Sequence, residues 1–140
     1  MSTNVCTPLY RPGDEITGHT SAAVVGKTFA DISGNIQSGP QVESVSLPST
    51  FDGGNIVVAT CAAKLKPIGV FAYDRTEGEA VTLLCTPGLV VPVTAGGAIT
   101  AGEEVEVGAE GKAVKLGEGK AAGRAFTTAA SGKDCFVRLY

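Results

Sequence analysis

The sequence predicts an all-β fold, a single-domain β-sandwich or barrel of about eight to ten short strands carrying an extended N-terminal arm. Three observations predict it. Short apolar runs recur at turn-separated intervals of roughly 8 to 12 residues, divided by Gly, Pro, Asn and Asp signals. Val, Thr and Ile are abundant beside 19 glycines, whereas Gln and Met, which favour helices, are scarce. Nowhere do strand-like runs alternate with amphipathic helical ones, so no βαβ unit is expected. At 140 residues the chain has room for one good core.

Residues 1–20 hold Pro8, Pro12, Gly13 and Gly18 among polar residues and show neither hydrophobic period, so they read as the arm; residues 21–140 read as the β-rich domain. Leu9 and Tyr10 are the arm's large apolar groups and are expected to pack on the body or a neighbour. Ser21 to Ala30 reads as a short strand bent at Gly26, followed by a polar loop, Asp31 to Gln41. Residues 41–55 read as an edge strand ended by Pro48 and the turn Asp52-Gly53-Gly54.

Asn55 to Thr60 and Pro67 to Tyr73 are apolar at successive positions, as expected of strands covered on both sides. Val81 to Cys85 and Leu89 to Thr94 flank Thr86-Pro87-Gly88, in which Pro presets φ and Gly permits positive φ, and a hairpin is expected. The clearest local pattern lies at 103–116, where EEVEV and KAVKL alternate around Gly108-Ala109-Glu110-Gly111. In that hairpin Val105 and Val107 are expected to share a face with Val114 and Leu116, with Glu104, Glu106, Lys112 and Lys115 at solvated edges. Ala121 to Ala130 reads as a further strand. Asp134 to Tyr140 closes the chain with Cys135, Val137 and Leu139 on one face and Phe136, Arg138 and Tyr140 on the other. Truncating this last strand is expected to be costly, because it would leave an unpaired ladder.

Charge and chemistry narrow the function. Eleven Lys and Arg stand against 14 Asp and Glu, a net charge of −3, with no basic patch, so nucleic acid is not an expected partner. The longest apolar stretch, Ile56 to Ala63, is interrupted by Thr60 and falls short of a bilayer span, and no membrane partner is expected. The N-terminus lacks the pattern of a secretory signal, so synthesis and residence in a cytosol are expected.

Cys6, Cys61, Cys85 and Cys135 stand singly, without CxxC or a histidine cluster, and the last three sit in apolar runs where a thiol serves as a small hydrophobe. His19, the single histidine, falls in the arm reading with no nucleophile placed by spacing. Gly96-Gly97 and Gly117-Glu118-Gly119-Lys120 fit no phosphate-binding loop. Asp14-Glu15, Glu103-Glu104 and Asp74, Glu77 and Glu79 lack calcium-loop spacing and read as solvated surface. Lys112 at a hairpin suggests the swinging lysine of biotinyl or lipoyl carrier domains, but Glu-Gly-Lys-Ala is not their motif. No catalytic residue, metal or cofactor is expected, and the chain is not expected to be an enzyme.

YRPGDEITGHTSAAVVGKTFADISG, KPIGVFAYDRTEGEAVTL, GLVVPVTAGGAITAGEEVEVGAEGKAV and GRAFTTAASGKDCFVRLY, in that order, resemble the capsid decoration or head cement proteins of tailed bacteriophages. The resemblance runs from Tyr10 to Tyr140; residues 37–55 match none of its pattern. It implies a β-rich domain, often trimeric, on the outside of an icosahedral shell where major capsid protein subunits meet, and so a location on the virion surface. Leu9, Tyr10, Arg11 and Pro12 are the expected contacts to the capsid or to a neighbouring subunit. The alternative is another self-assembling phage subunit, of tail or shell.

Overall fold

The computed structural model describes residues 15–37 and 55–140 and bears out the all-β expectation as a closed five-stranded barrel and a second five-stranded sheet. Its strands are β1 (Glu15–Thr20), β2 (Phe29–Gln37), β3 (Asn55–Thr60), β4 (Gly69–Phe71), β5 (Ala80–Leu84), β6 (Val90–Thr94), β7 (Glu104–Val107), β8 (Ala113–Lys115), β9 (Gly123–Ala125) and β10 (Asp134–Leu139). The first five close into a barrel in the order β1-β3-β2-β4-β5, with β1 returning to pair β5. The last five form a sheet ordered β6-β10-β9-β7-β8.

The second unit repeats the first, strand for strand. Ile16 pairs Leu83 and Gly18 pairs Val81 in one; Val91 pairs Val137 and Val93 pairs Cys135 in the other. Ala30 pairs Thr60 and Gly69, as Val105 pairs Lys115 and Gly123. The lone bridge Val24 to Arg75 returns as Ile99 to Ala129. Even the seam repeats, since β1 runs parallel to β3 with Thr20 beside Val58, and a lone parallel bridge from Ala95 to Ala113 draws the edges of the second sheet together, which makes that sheet the counterpart of the barrel and, in this sense, a second barrel. The main difference is in one hairpin. Residues 38–54 join β2 to β3, whereas 108–112, with a 3-10 turn at Ala109–Gly111, joins β7 to β8.

Duplication replaces the expected single core with two clusters. Val24, Ala30, Val58, Phe71, Val81 and Leu83 fill the first barrel. Val93, Ile99, Val105, Val107, Cys135 and Val137 are among those that fill the second. Phe29 and Val70, from the outer face of the first barrel, belong to that second cluster, so the barrels are packed together through apolar side chains. Each such aliphatic burial contributes about 1.5–3 kcal/mol.

Several boundaries differ from the sequence reading. Residues 15–20 are strand rather than arm; their inward positions are Gly18 and Thr20, so no hydrophobic period marks them. Gly18 is required there, because a Cβ would lie 2.9 Å from Val58 Cγ2. Strand β2 begins at Phe29, not Ser21, and runs to Gln37 through the expected polar loop, with register shifts around Gly34. Gly26 serves close packing against the Tyr73 backbone and donates its N–H to Asp74 Oδ1 at 2.8 Å. The edge strand and turn expected at 41–54 lie outside the described residues, as does the arm through residue 14.

The Thr86-Pro87-Gly88 turn forms, with Leu89 N–H donating to the Thr86 carbonyl and Gly88 at φ +90°, but it makes no hairpin. β5 pairs with β1 and β4 while β6 pairs with β10, so this turn is the crossover between barrels. The 103–116 hairpin is present with a different facing: Val105 and Val107 share the inner face with Ala113, and Val114 pairs Glu106. β9 and β10 lie where expected, and β10 alternates buried Cys135, Val137 and Leu139 with exposed Phe136 and Arg138.

Candidate interaction surface

Strict alternation along β10 points Phe136, Arg138 and the following Tyr140 away from the second core, and the register gathers like neighbours beside them. Phe136 pairs Pro92 on one side, while on the other its carbonyl accepts the N–H of Phe126 at 2.7 Å. One step along, Arg138 lies between Val90 and Arg124, and Arg124 pairs Glu104. Two rows thus cross the outer face: Phe126, Phe136 and Pro92, then Glu104, Arg124, Arg138 and Val90. Phe126 is 53% exposed and Phe136 45%. Half of each ring's area amounts to roughly 200 Å² together, about 5 kcal/mol on burial before the costs of association.

Polar contacts hold this face in shape. Tyr140 donates its hydroxyl to Glu104 Oε2 at 2.9 Å, and burial together with that carboxylate raises the phenol's pKa. Arg124 donates Nε–H to the Gly102 carbonyl at 3.0 Å. Phe136 donates its N–H to Thr127 Oγ1 at 3.0 Å. At the base of the hairpin, Glu103 accepts from Thr100 N–H at 3.0 Å and pairs Lys115 at 3.4 Å, and both contacts hold its carboxyl below the usual range, the first more strongly.

Glu106, expected at a solvated edge, is buried instead. Its Oε2 accepts from Gly117 N–H at 3.0 Å and from Gly119 N–H at 2.6 Å, which folds the 117–119 loop over the sheet. The glycines are what admit the carboxylate: a Cβ on Gly119 would lie 2.5 Å from that same oxygen. Alternation alone could not reveal this, since only the glycine spacing after Leu116 hinted at a backbone cradle.

His19 stands in β1 between Val57 and Ala80, in a strand rather than an arm. Lys112 pairs with Glu110 at 3.1 Å. Cys61 and Cys135 are buried, and burial followed by the Asp31 charge pushes the Cys61 thiol up to about 11. Among the described residues no group of three or more His, Cys, Asp and Glu could hold a metal ion, and no helix is long and apolar enough to cross a membrane. The sequence-expected contacts Leu9, Tyr10, Arg11 and Pro12 lie outside the described residues. The Phe126–Phe136 face went unnoticed in the sequence, although the alternation of β10 marked Phe136, Arg138 and Tyr140 as a set.

Comparison with known proteins agrees with the architecture. Residues 15–140 match the sequence model of a family described as phage cement protein. Among solved structures the chain is similar to the N base of the head fiber gp8.5 of bacteriophage phi29, with a TM-score of 0.66 at 18% identity, over 90% of this chain and 92% of that one. At that identity the likeness establishes a shared fold. No curated protein matches.

Proposed function

We propose that this chain, which belongs to the phage cement protein family, binds the outer surface of an icosahedral phage capsid and stabilises the shell through contact area rather than through a reactive group. The observation that carries this reading is the outer face of the second barrel. Phe126, Phe136 and Val90 are held exposed on a rigid sheet, beside two arginines, Arg124 and Arg138. Such a face suits a standing protein partner, because the row Phe126, Phe136 and Pro92 offers apolar area to bury against the shell and leaves the arginine row beside it for a neighbouring copy. Its partner is the major capsid protein.

Self-association is part of the proposal. Three copies joined as one rigid body would engage three neighbouring capsid subunits together, raising avidity by about 10²–10⁴ over one foothold. Leu9, Tyr10, Arg11 and Pro12 add a further reach toward the shell or a neighbour, as extended segments do at exposed strands.

Titrating undecorated capsids with the protein tests the reading: addition should saturate at a fixed number of copies and raise the temperature at which shells open. Phe126→Ser combined with Phe136→Ser should abolish binding while the protein stays folded, and deletion of residues 1–13 should weaken it. Absence of binding to shells, or polymerisation into tubes, would assign the chain to another class of phage subunit.

A further inference from the structure

The duplication makes one interface visible inside the chain and leaves its counterpart open. The end of the second barrel packs on the outer face of the first. Thr94 N–H donates to the Lys27 carbonyl at 2.9 Å, Lys27 Nζ meets Asp134 Oδ2 at 2.7 Å, and Lys64 N–H donates to the Val107 carbonyl at 2.9 Å. Gly111, in the hairpin tip, lies so close to Thr28, the Phe29 carbonyl and Thr60 that a Cβ would reach 2.6 Å from Thr60 Cγ2. The covered face is the row Phe29, Val70 and Leu84, three outward positions that join the second core.

By register, that row corresponds in the second barrel to Glu104, Arg124 and Arg138, all exposed. The covering end has its own counterpart in the first barrel. Val107, fully buried, corresponds to Ile32, which is 47% exposed, and Asp134 corresponds to Ala80, which follows the carboxylates Glu77 and Glu79. Among the described residues, each chain therefore carries one face and one end of the kinds already joined within it that nothing covers.

We infer that the free face of the second barrel, at Arg124 and Arg138, takes the free end of the first barrel, at Ile32, Glu77 and Glu79, of a second copy of this chain. Charge supports the assignment. Within the chain a lysine on the face meets a carboxylate on the end. Between chains the face offers two guanidinium groups, with Glu104 occupied by Tyr140, and the end offers Glu77 and Glu79. Arg75, the cation nearest that end, stacks on the Tyr73 ring at 4.3 Å and lies 3.8 Å from Glu79 Oε2, so Glu77 is the carboxylate there with no ion pair among the described residues. Such a contact is head-to-tail, and it closes into a ring when the rotation per copy divides a full turn.

The inference rests on the self-association in the proposed function, and charge reversal separates the two. Light scattering of the full chain should give a multiple of 14.1 kDa at low salt, falling toward one copy as salt is raised. Arg124→Glu with Arg138→Glu, and separately Glu77→Lys with Glu79→Lys, should each give single copies of unchanged circular dichroism. Mixing the two, or combining all four changes in one chain, should restore the assembly. Glu77→Lys alone, which spares the Glu79 contacts within its turn, should weaken association several-fold. Assembly that survives either reversal, or reversals that fail to rescue one another, would overturn the inference. Reversed single copies that still bind capsids weakly through Phe126 and Phe136 would leave the capsid reading standing; wild-type assembly without capsid binding would do the opposite.

Discussion

Replacing Phe29 by alanine probes how the two barrels are joined. Phe29 is fully buried, yet its side chain leaves the first barrel and enters the core cluster of the second, while Ala30 faces the first. Truncating a buried Phe costs about 3–5 kcal/mol, as lost transfer energy and a cavity. The upper half of that range is expected, because the surroundings cannot collapse inward: Gly111 already stands against Thr28, Thr60 and the Phe29 carbonyl. In a domain near this size the loss lowers Tm by roughly 10–15 °C. Phe136→Ala is the control, since its ring is 45% exposed and should cost under about 1 kcal/mol. Urea unfolding followed by circular dichroism measures both. In the wild type one transition is expected; in Phe29→Ala the first and second barrels should separate into two. Equal losses in the two variants, or a Phe29→Ala loss under about 1 kcal/mol, would refute the packing argument.

Gly111→Ala should destabilise by about 2–4 kcal/mol, combining strain at φ +72° with the clash against Thr60, as read from thermal unfolding, whereas Gly97→Ala, with open space around it, should be nearly neutral. Glu106→Ala removes the acceptor of two backbone N–H groups and should cost roughly 2–3 kcal/mol; faster hydrogen exchange at Gly117 and Gly119 is the local readout, and Glu106→Gln should recover much of the loss. Cys61, with its thiol near 11, should alkylate slowly in the native protein, since at pH 8 only about one molecule in a thousand carries the thiolate; mass spectrometry should find it modified after the half-buried Cys85, and fast labelling would contradict its burial.

Much of the strand pattern was legible because these strands are short, turn-bounded and apolar. The alternation of β10 and the doublets of β7 and β8 sit at the positions their residues announce. What escaped was the repeat. Its signals were present in the glycines and prolines: Arg11-Pro12-Gly13 before β1 matches Thr86-Pro87-Gly88 before β6, Gly69 matches Gly123, and Gly78 matches Gly132. Gly78 and Gly132 both take positive φ, at +80° and +82°, so backbone need outlasted side-chain identity. Hydrophobic periodicity could not find the repeat, because the inward positions of β1 are Gly18 and Thr20 where those of β6 continue as Val93 and Ala95. The 81–94 hairpin reading failed for a related reason. A Pro-Gly turn reports a reversal of the chain, and nothing local reports that the next strand enters another barrel.

The divergence between the repeats follows their exposure. Phe29, Val70 and Cys61 are buried in the first, and their counterparts Glu104, Arg124 and Leu116 lie on or near the surface of the second. A lone domain would gain nothing from keeping Phe126 and Phe136 beside that row, since each exposed ring forgoes burial that an inward position would give. On the proposed function a protein partner accounts for the exposed rings, because they lose water on contact, and the arginine row beside them selects where a neighbour meets the face. In the first repeat this kind of face joins the chain to itself, and in the second, on the proposed function, it is offered to another molecule.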